Sequence, residues 1–209
     1  TDLNGCSSTQ SVVITQPNAV TANITSTDVT CFGDANGTAT ANPTSSNPPF
    51  TYSWSSGGNA QTESNLGPGT YTVTITDNTG CTGTATVTIT EPPAFTATNT
   101  STNVMCFGGA TGTATAIGSG GPSPFTFSWT PTGGNLATAS GLAAGTYTCT
   151  VTNANGCSAT TSVTITQPAS ALSATSASTN ITCNGGTNGT GTVTPSGGTP
   201  GYTYSWAPS

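Results

Sequence analysis

The chain has 209 residues with no Lys, Arg or His and six acidic side chains, for a net charge of −6. An ordinary soluble domain is about 25% charged; this one is 3% charged. Neutralising nucleic-acid phosphates or anionic lipid takes cations, so nucleic acid and membrane surfaces are excluded as partners. A His general base, a Lys Schiff base, an Arg clamp and a Lys–Asn isopeptide cross-link all lack the residue they need. Roughly a quarter of the chain is Thr, and hydrophobic residues make up 32%, below the usual ~45–50%. Low charge and regularly placed Val, Ile, Tyr and Trp still argue for a fold rather than disorder. No apolar run approaches the ~18 residues of a membrane span. No charged-then-apolar leader opens the chain, which reads as a piece of something longer.

The sequence repeats. Cys31-Phe32-Gly33 recurs as Cys106-Phe107-Gly108 and Cys183-Asn184-Gly185, at spacings of 75 and 77 residues. A second marker, Asn-Gly-Cys or Thr-Gly-Cys, ends at Cys6, Cys81 and Cys157. Phe50–Trp54 matches Phe125–Trp129 and Tyr202–Trp206, and Gly69–Val73 matches Gly145–Cys149. Each unit closes on Val-x-Ile-Thr-(Gln/Glu)-Pro, ending at Pro17, Pro92 and Pro168. Boundaries at those prolines give the tail of one repeat at 1–17, full repeats at 18–93 and 94–168, and the first half of another at 169–209. A period near 75 is too long for a solenoid rung and suits a small β domain.

Within each repeat the period is two, the signature of strands. In immunoglobulin lettering, strand A is predicted over about 19–31, B over 37–43 and C over 50–55. One or two short edge strands follow near 60–66, then F over 69–77 and G over 81–91. Phe50, Tyr52 and Trp54 share one face and Thr51 and Ser53 the other; Tyr71, Val73 and Ile75 alternate with Thr72, Thr74 and Thr76. Thr is β-branched and wets the outer face without charge. Asp77–Gly80 and Asn153–Gly156 are hairpin turns. About seven short strands imply a two-sheet sandwich with Trp54 and Trp129 on strand C, and Tyr71 and Tyr147 on strand F, as core anchors.

These linked motifs resemble SprB-type repeats, found in very large surface adhesins of gliding and biofilm-forming Bacteroidota. The Tyr-x-Trp and Gly-Thr-Tyr-x-Val parts are also similar to PKD-type immunoglobulin-like domains. The resemblance covers essentially the whole chain. Phe127, Asn153 and Cys149 depart from it, where Tyr, Asp and Val stand in the first repeat. It implies an all-β fold of tandem immunoglobulin-like (PKD-like) β-sandwich domains in an end-to-end array, type IX export, and an extracellular, cell-surface location. It brings no catalytic residue, so an enzyme is not expected.

Seven cysteines on such a surface imply an oxidising compartment. Pairing within a repeat gives Cys31–Cys81 and Cys106–Cys157. The topology argues against it: strands A and G run parallel, so the end of A and the start of G lie at opposite poles, roughly 25 Å apart, whereas a disulfide needs Cα atoms within about 7 Å. Pairing across a joint gives Cys31–Cys157, leaving Cys6, Cys81, Cys106 and Cys183 with partners at least partly outside the fragment. The within-repeat pairing survives if strand A is short and the Cys-Phe-Gly segment folds back. Either bridge closes a loop long enough to contribute about 4 kcal/mol in the chain-entropy view. Cys149 occupies the inward slot of Val73 and reads as a buried free thiol.

Asp28, Asp34 and Asp77 lie near loops and suit turn and cap roles, with Ca²⁺ the alternative; the second full repeat has no carboxylate, so no metal or other cofactor is expected. Asn23, Asn36, Asn99, Asn180 and Asn188 match the N-glycosylation sequon, and the hydroxyl-rich surface could carry O-glycans. A twisted sandwich does not supply the flat Thr lattice of an ice binder. Function reads as mechanical: a disulfide-stiffened stalk of a secreted adhesin or filament serving adhesion or gliding motility, its partners being neighbouring repeats and laterally associated filaments. The alternative is a carbohydrate-binding module, whose aromatics would face outward.

Overall fold

The computed structural model describes residues 1–16, 18–45 and 47–207; the boundary expected at Pro17 lies outside them. The chain divides into two compact units, Thr1–Pro92 and Pro93–Ser209. In the first, β1 (Ile24–Thr27), β2 (Gly37–Ala41) and β4 (Thr62–Leu66) form one antiparallel sheet in the order β1-β2-β4. β3 (Thr51–Trp54), β5 (Gly69–Thr76) and β6 (Thr82–Ile89) form a second in the order β3-β5-β6. This is the A-B-E and C-F-G division of an immunoglobulin-like sandwich. The second unit repeats it with β7 (Thr96–Thr102), β8 (Gly112–Ser119) and β10 (Thr138–Leu142) in one sheet. Its other sheet holds β9 (Thr126–Thr130), β11 (Gly145–Thr152) and β12 (Ser158–Ile165). β13 (Ser173–Thr179) and β14 (Thr190–Ser196) pair as a hairpin.

Each complete sandwich has six strands among the described residues, where about seven were predicted. Strand A is shorter than predicted, four residues in β1 with an isolated Thr21–Thr44 bridge ahead of it, and a single edge strand follows β3. The inward set is the period-two set. In the first unit Ala39, Ala41, Val73, Ile75 and Ile89 are buried with Trp54, Leu66, Val20 and Val29. In the second, Ala114, Ala116, Val151 and Ile165 are buried with Trp129, Tyr147, Cys149 and Leu142. Small Ala on one sheet opposite branched residues on the other is how two close sheets fill the space between them. Gly37 and Gly112 extend that logic. A Cβ there would lie 2.8 and 2.7 Å from Cγ2 of Ile89 and Ile165 respectively.

The aromatic anchors also organise the loops. Trp54 donates its indole N–H to the carbonyl of Ala60 at 2.9 Å, and Trp129 donates to Leu136 at 3.0 Å. Tyr71 donates its hydroxyl to Gly67 and Tyr147 to Ala143, each at 3.1 Å. This tyrosine corner ties strand F to the turn before it. Tyr147 is buried, while Tyr71 is half-buried against the core.

The outer faces are hydroxyl ladders. Thr72 and Thr86 approach to 3.0 Å, Thr148 and Ser162 to 2.8 Å, Thr27 and Thr38 to 2.8 Å, and Thr115 and Thr138 to 2.9 Å. Cross-strand hydroxyl pairs stabilise a sheet without charge. The strand edges are blunted without charge as well. The Trp54 N–H is taken by Gly58 and the Trp129 N–H by Gly134, so the unit's own loop covers the outward side of strand C. β4 and β10 are kinked by register shifts beside Asn65 (φ 57°) and Gly141 (φ 68°).

Truncating the strand-C anchor tests this core. Trp129→Ala is expected to destabilise the second unit by about 3–5 kcal/mol, read as a lowered urea midpoint for NMR cross-peaks of β11 and β12. An unchanged midpoint would contradict the packing described.

Candidate functional site

The cysteines sit on turns, and each turn is built by a recurring set of hydrogen bonds. At the β5–β6 corner Asp77 brackets Cys81: the Asp77 N–H donates to the Cys81 carbonyl at 2.9 Å and the Cys81 N–H donates to Asp77 Oδ1 at 3.0 Å. The Thr79 N–H and hydroxyl also donate to Oδ1, and Ser45 and Asn47 reach Oδ2. Asn153 brackets Cys157 in the same way at 3.0 Å in both directions. Asp2 brackets Cys6 at 2.8 Å in both directions. The glycine before each cysteine, Gly5, Gly80 or Gly156, has φ of 85–87°, which closes the turn at no steric cost. Around Cys6 this geometry stands with Val12, Val13 and Ile14 fully exposed, so the turn is encoded locally.

The other cysteine turn follows strand A. Asp34, Gly109 and Gly186 donate their N–H to the carbonyls of Cys31, Cys106 and Cys183 at 2.9–3.1 Å. A side-chain oxygen at the base of the turn (Asn36, Thr111 or Asn188) accepts the N–H of Thr30, Met105 or Thr182. In the complete units the turn is fastened to the end of strand G. The Thr90 N–H donates to Asp28 at 2.7 Å and the Gly33 N–H to Glu91 at 2.8 Å. The matching bonds are Thr166 to Asn103 at 2.9 Å and Gly108 to Gln167 at 2.8 Å.

The two turns of one unit therefore sit at opposite ends of strand G. Cys81 precedes β6 and the Cys31 turn is bonded to residues just beyond it; Cys157 and the Cys106 turn flank β12 likewise. Eight extended residues span roughly 26 Å, far beyond disulfide reach. Cys31 and Cys157 are disulfide-bonded. Cys6, Cys81, Cys106, Cys149 and Cys183 are free thiols, including the Cys81 and Cys106 that within-unit pairing requires. Phe32, Met105 and Phe107 beside these turns are exposed.

Cys149 is fully buried between β9 and β12 neighbours. Burial pushes its thiol pKa up, against a smaller opposite effect of a backbone hydrogen bond with Ser128. Next to it in register stands Thr161, whose hydroxyl accepts the Asn99 amide, which also donates to the Ser162 carbonyl. The first unit fills the same places with Ile24 and Ala85, packed on the core. Both partners changed together, so the half-buried polar pair is satisfied.

Of the sequon residues, Asn23, Asn36, Asn180 and Asn188 are exposed and Asn99 is half-buried. Asn36 is engaged at its amide oxygen, Asn99 at its amide nitrogen and Asn188 at both, so a glycan on Asn99 or Asn188 would displace these bonds. Among the described residues no cluster of three His, Cys, Asp or Glu could hold a metal ion, and no helix is long and apolar enough to cross a membrane. Sequence reasoning saw the cysteines and their turns and gave Asp28 and Asp77 turn and cap roles, but did not say which groups they hold, and it missed Asp2, Asn103, Glu91 and Gln167 and the bracketing part of Asn153. The signal lay in exchange of acid for amide at equivalent places.

The SprB repeat family matches residues 23–59, 98–134 and 175–209, together more than half of the chain. The chain belongs to the SprB repeat family. No curated protein matches it. Solved structures similar to it include one described as the structural basis for Dscam isoform specificity (14% identity, TM-score 0.31), aligned over 72% of this chain and 46% of that one. Another is the amphioxus IgVJ-C2 molecule (19% identity, TM-score 0.30), aligned over 73% of this chain and 99% of that one. The chain spans under half the length of the first. The sandwich assignment rests on the strand pairing above.

Two tests follow from the site. Thr90 N–H, then the Thr90 side chain, holds the Asp28 carboxyl below its ordinary 3.8, and Thr79 hydroxyl, with Cys81 and Ser45, holds Asp77 below it against burial. Folded-state values below the unfolded one mean that this stabilisation is full above about pH 4 and is lost as pH falls. Asn103 and Asn153 replace these groups in the second unit. Acidification is expected to lower the urea midpoint of the first unit's NMR signals and leave the second's in place; equal losses would contradict this. Cys149→Val, the residue at position 73, is expected to cost under about 1.5 kcal/mol and leave disulfide content unchanged. Loss of the disulfide in that variant would give Cys149 a role beyond packing.

Proposed function

We propose that the chain is part of the stalk of a secreted, cell-surface adhesin or filament, whose neighbouring sandwiches are stapled by disulfides across each joint. The observation that carries this reading is the placement of the two cysteine turns at opposite ends of strand G, with Cys31 and Cys157 oxidised while Cys81 and Cys106 remain thiols. In this reading Cys31 and Cys157 are each other's partner, and Cys6, Cys81, Cys106 and Cys183 serve joints with further repeats. Closing the bridge takes two electrons from two thiols, delivered to a disulfide oxidant that leaves as two thiols. The uncharged hydroxyl surface supports the same role, since neither salt nor moderate pH weakens it. Membership of the SprB family supports a surface setting and service in adhesion or gliding motility. The buried Trp54 and Trp129 argue against a carbohydrate platform on the complete units.

Non-reducing peptic mapping, used because the chain has no trypsin site, is expected to give a peptide joining Cys31 to Cys157. Pulling the oxidised chain by its ends is expected to leave the span between these cysteines unextended, and reduction to release roughly 400 Å of contour. A peptide joining Cys31 to Cys81, or the same contour with and without reductant, would overturn the stapled-stalk reading.

A further inference from the structure

We infer that Glu91 and Gln167 are positioning residues for the joint: each fastens the linker leaving its own sandwich to the cysteine turn, so that the turn is held ready for a partner cysteine. This rests on the stapled-joint reading above. Glu91 immediately precedes Pro92 and Pro93, where the first unit ends. Its Oε2 accepts the N–H of Gly33, two residues beyond Cys31, at 2.8 Å. Gln167 precedes Pro168 and its Oε1 accepts the N–H of Gly108, two residues beyond Cys106, again at 2.8 Å.

The first residue of the linker and the tip of the cysteine turn are thus one hydrogen-bonded object. Both acceptors are only half exposed, and the prolines behind them restrict the direction of the outgoing chain. Gly33 and Gly108 have φ of 81° and 74°, so the turn tip is a backbone shape that a side chain would resist. A cysteine on such a turn, next to a linker of fixed direction, meets its partner at a high effective concentration. A linker free to swing dilutes that encounter.

Use of Glu in one unit and Gln in the next identifies the needed property as an acceptor oxygen on a four-atom reach, with charge dispensable. That gives a discriminating pair of variants. Glu91→Gln keeps the acceptor; Glu91→Ala removes it without touching either core.

The test equilibrates the 209-residue chain in mixtures of reduced and oxidised glutathione and counts the Cys31–Cys157 peptide after differential alkylation. Each bridge formed consumes one oxidised glutathione and releases two reduced ones. Glu91→Ala is expected to lower the equilibrium constant for the bridge about tenfold, the size of one hydrogen bond to a charged acceptor, and to deprotect the Gly33 amide in hydrogen exchange. Glu91→Gln is expected to stay within about twofold of the parent. Urea unfolding of the reduced forms is expected to show all three fully folded in buffer, with the Glu91→Ala midpoint lowered by no more than the loss of one hydrogen bond, so that lost folding is not mistaken for lost positioning. Failure of Glu91→Ala to shift the glutathione equilibrium, or an equal shift in Glu91→Gln, overturns the positioning role while leaving the staple intact. Absence of any Cys31–Cys157 peptide in the parent overturns the joint reading and this inference together.

Discussion

Everything distinctive in this protein follows from one constraint: the first and last strands of each sandwich run in the same direction and are fastened together at one end. Three hydrogen bonds do this in each unit, Val29 to Thr90, Thr90 to Asp28 and Gly33 to Glu91, and their counterparts at Val104, Thr166 and Gly108. Because strand G is eight residues long, the fastening puts one cysteine turn at one end and leaves the other turn a full strand away. A unit so built cannot bridge its own cysteines; it offers one at each end. The geometry of the strand, rather than any chemistry of the thiols, keeps them apart.

The means of fastening suits a chain without cations. An ordinary domain would place ion pairs at such points. Here every bracket is a side-chain oxygen accepting backbone N–H groups, and the equivalent places alternate between acid and amide: Asp28 with Asn103, Asp77 with Asn153, Glu91 with Gln167. The shared property is an acceptor of fixed length. Charge adds strength where it occurs and adds acid sensitivity with it. The outer faces obey the same economy, with hydroxyls paired across strands and exposed edges covered by loops and bulges instead of lysines.

Much of this is legible in the sequence. Alternation of Tyr71, Val73 and Ile75 with threonines marked strand F and its inward face, and the paired Trp54 and Trp129 marked the core, because period two and large aromatics leave few alternatives. The shortness of strand A was not legible. Ala22 and Ile24 continue its alternation, but pairing with β2 begins only at Ile24 opposite Ala41. The brackets were also missed: an Asp or Asn in a turn looks the same whether it caps one amide or clamps a cysteine from both sides. The exchange of Ile24 and Ala85 for Asn99 and Thr161 shows why single positions mislead. An Asn in a slot that the other unit packs on its core reads as an error until its partner is found across the fold.

The separation of the two cysteine turns within one sandwich is what directs the bridge to a neighbouring unit. A direct measurement is the pulsed electron paramagnetic resonance distance between nitroxides on Cys106 and on an Asn155→Cys variant, with the other reactive thiols replaced by serine. A distribution centred near 25–30 Å is expected from the length of β12. A distance under about 10 Å would place both turns at one end, within reach of each other, and would contradict the account.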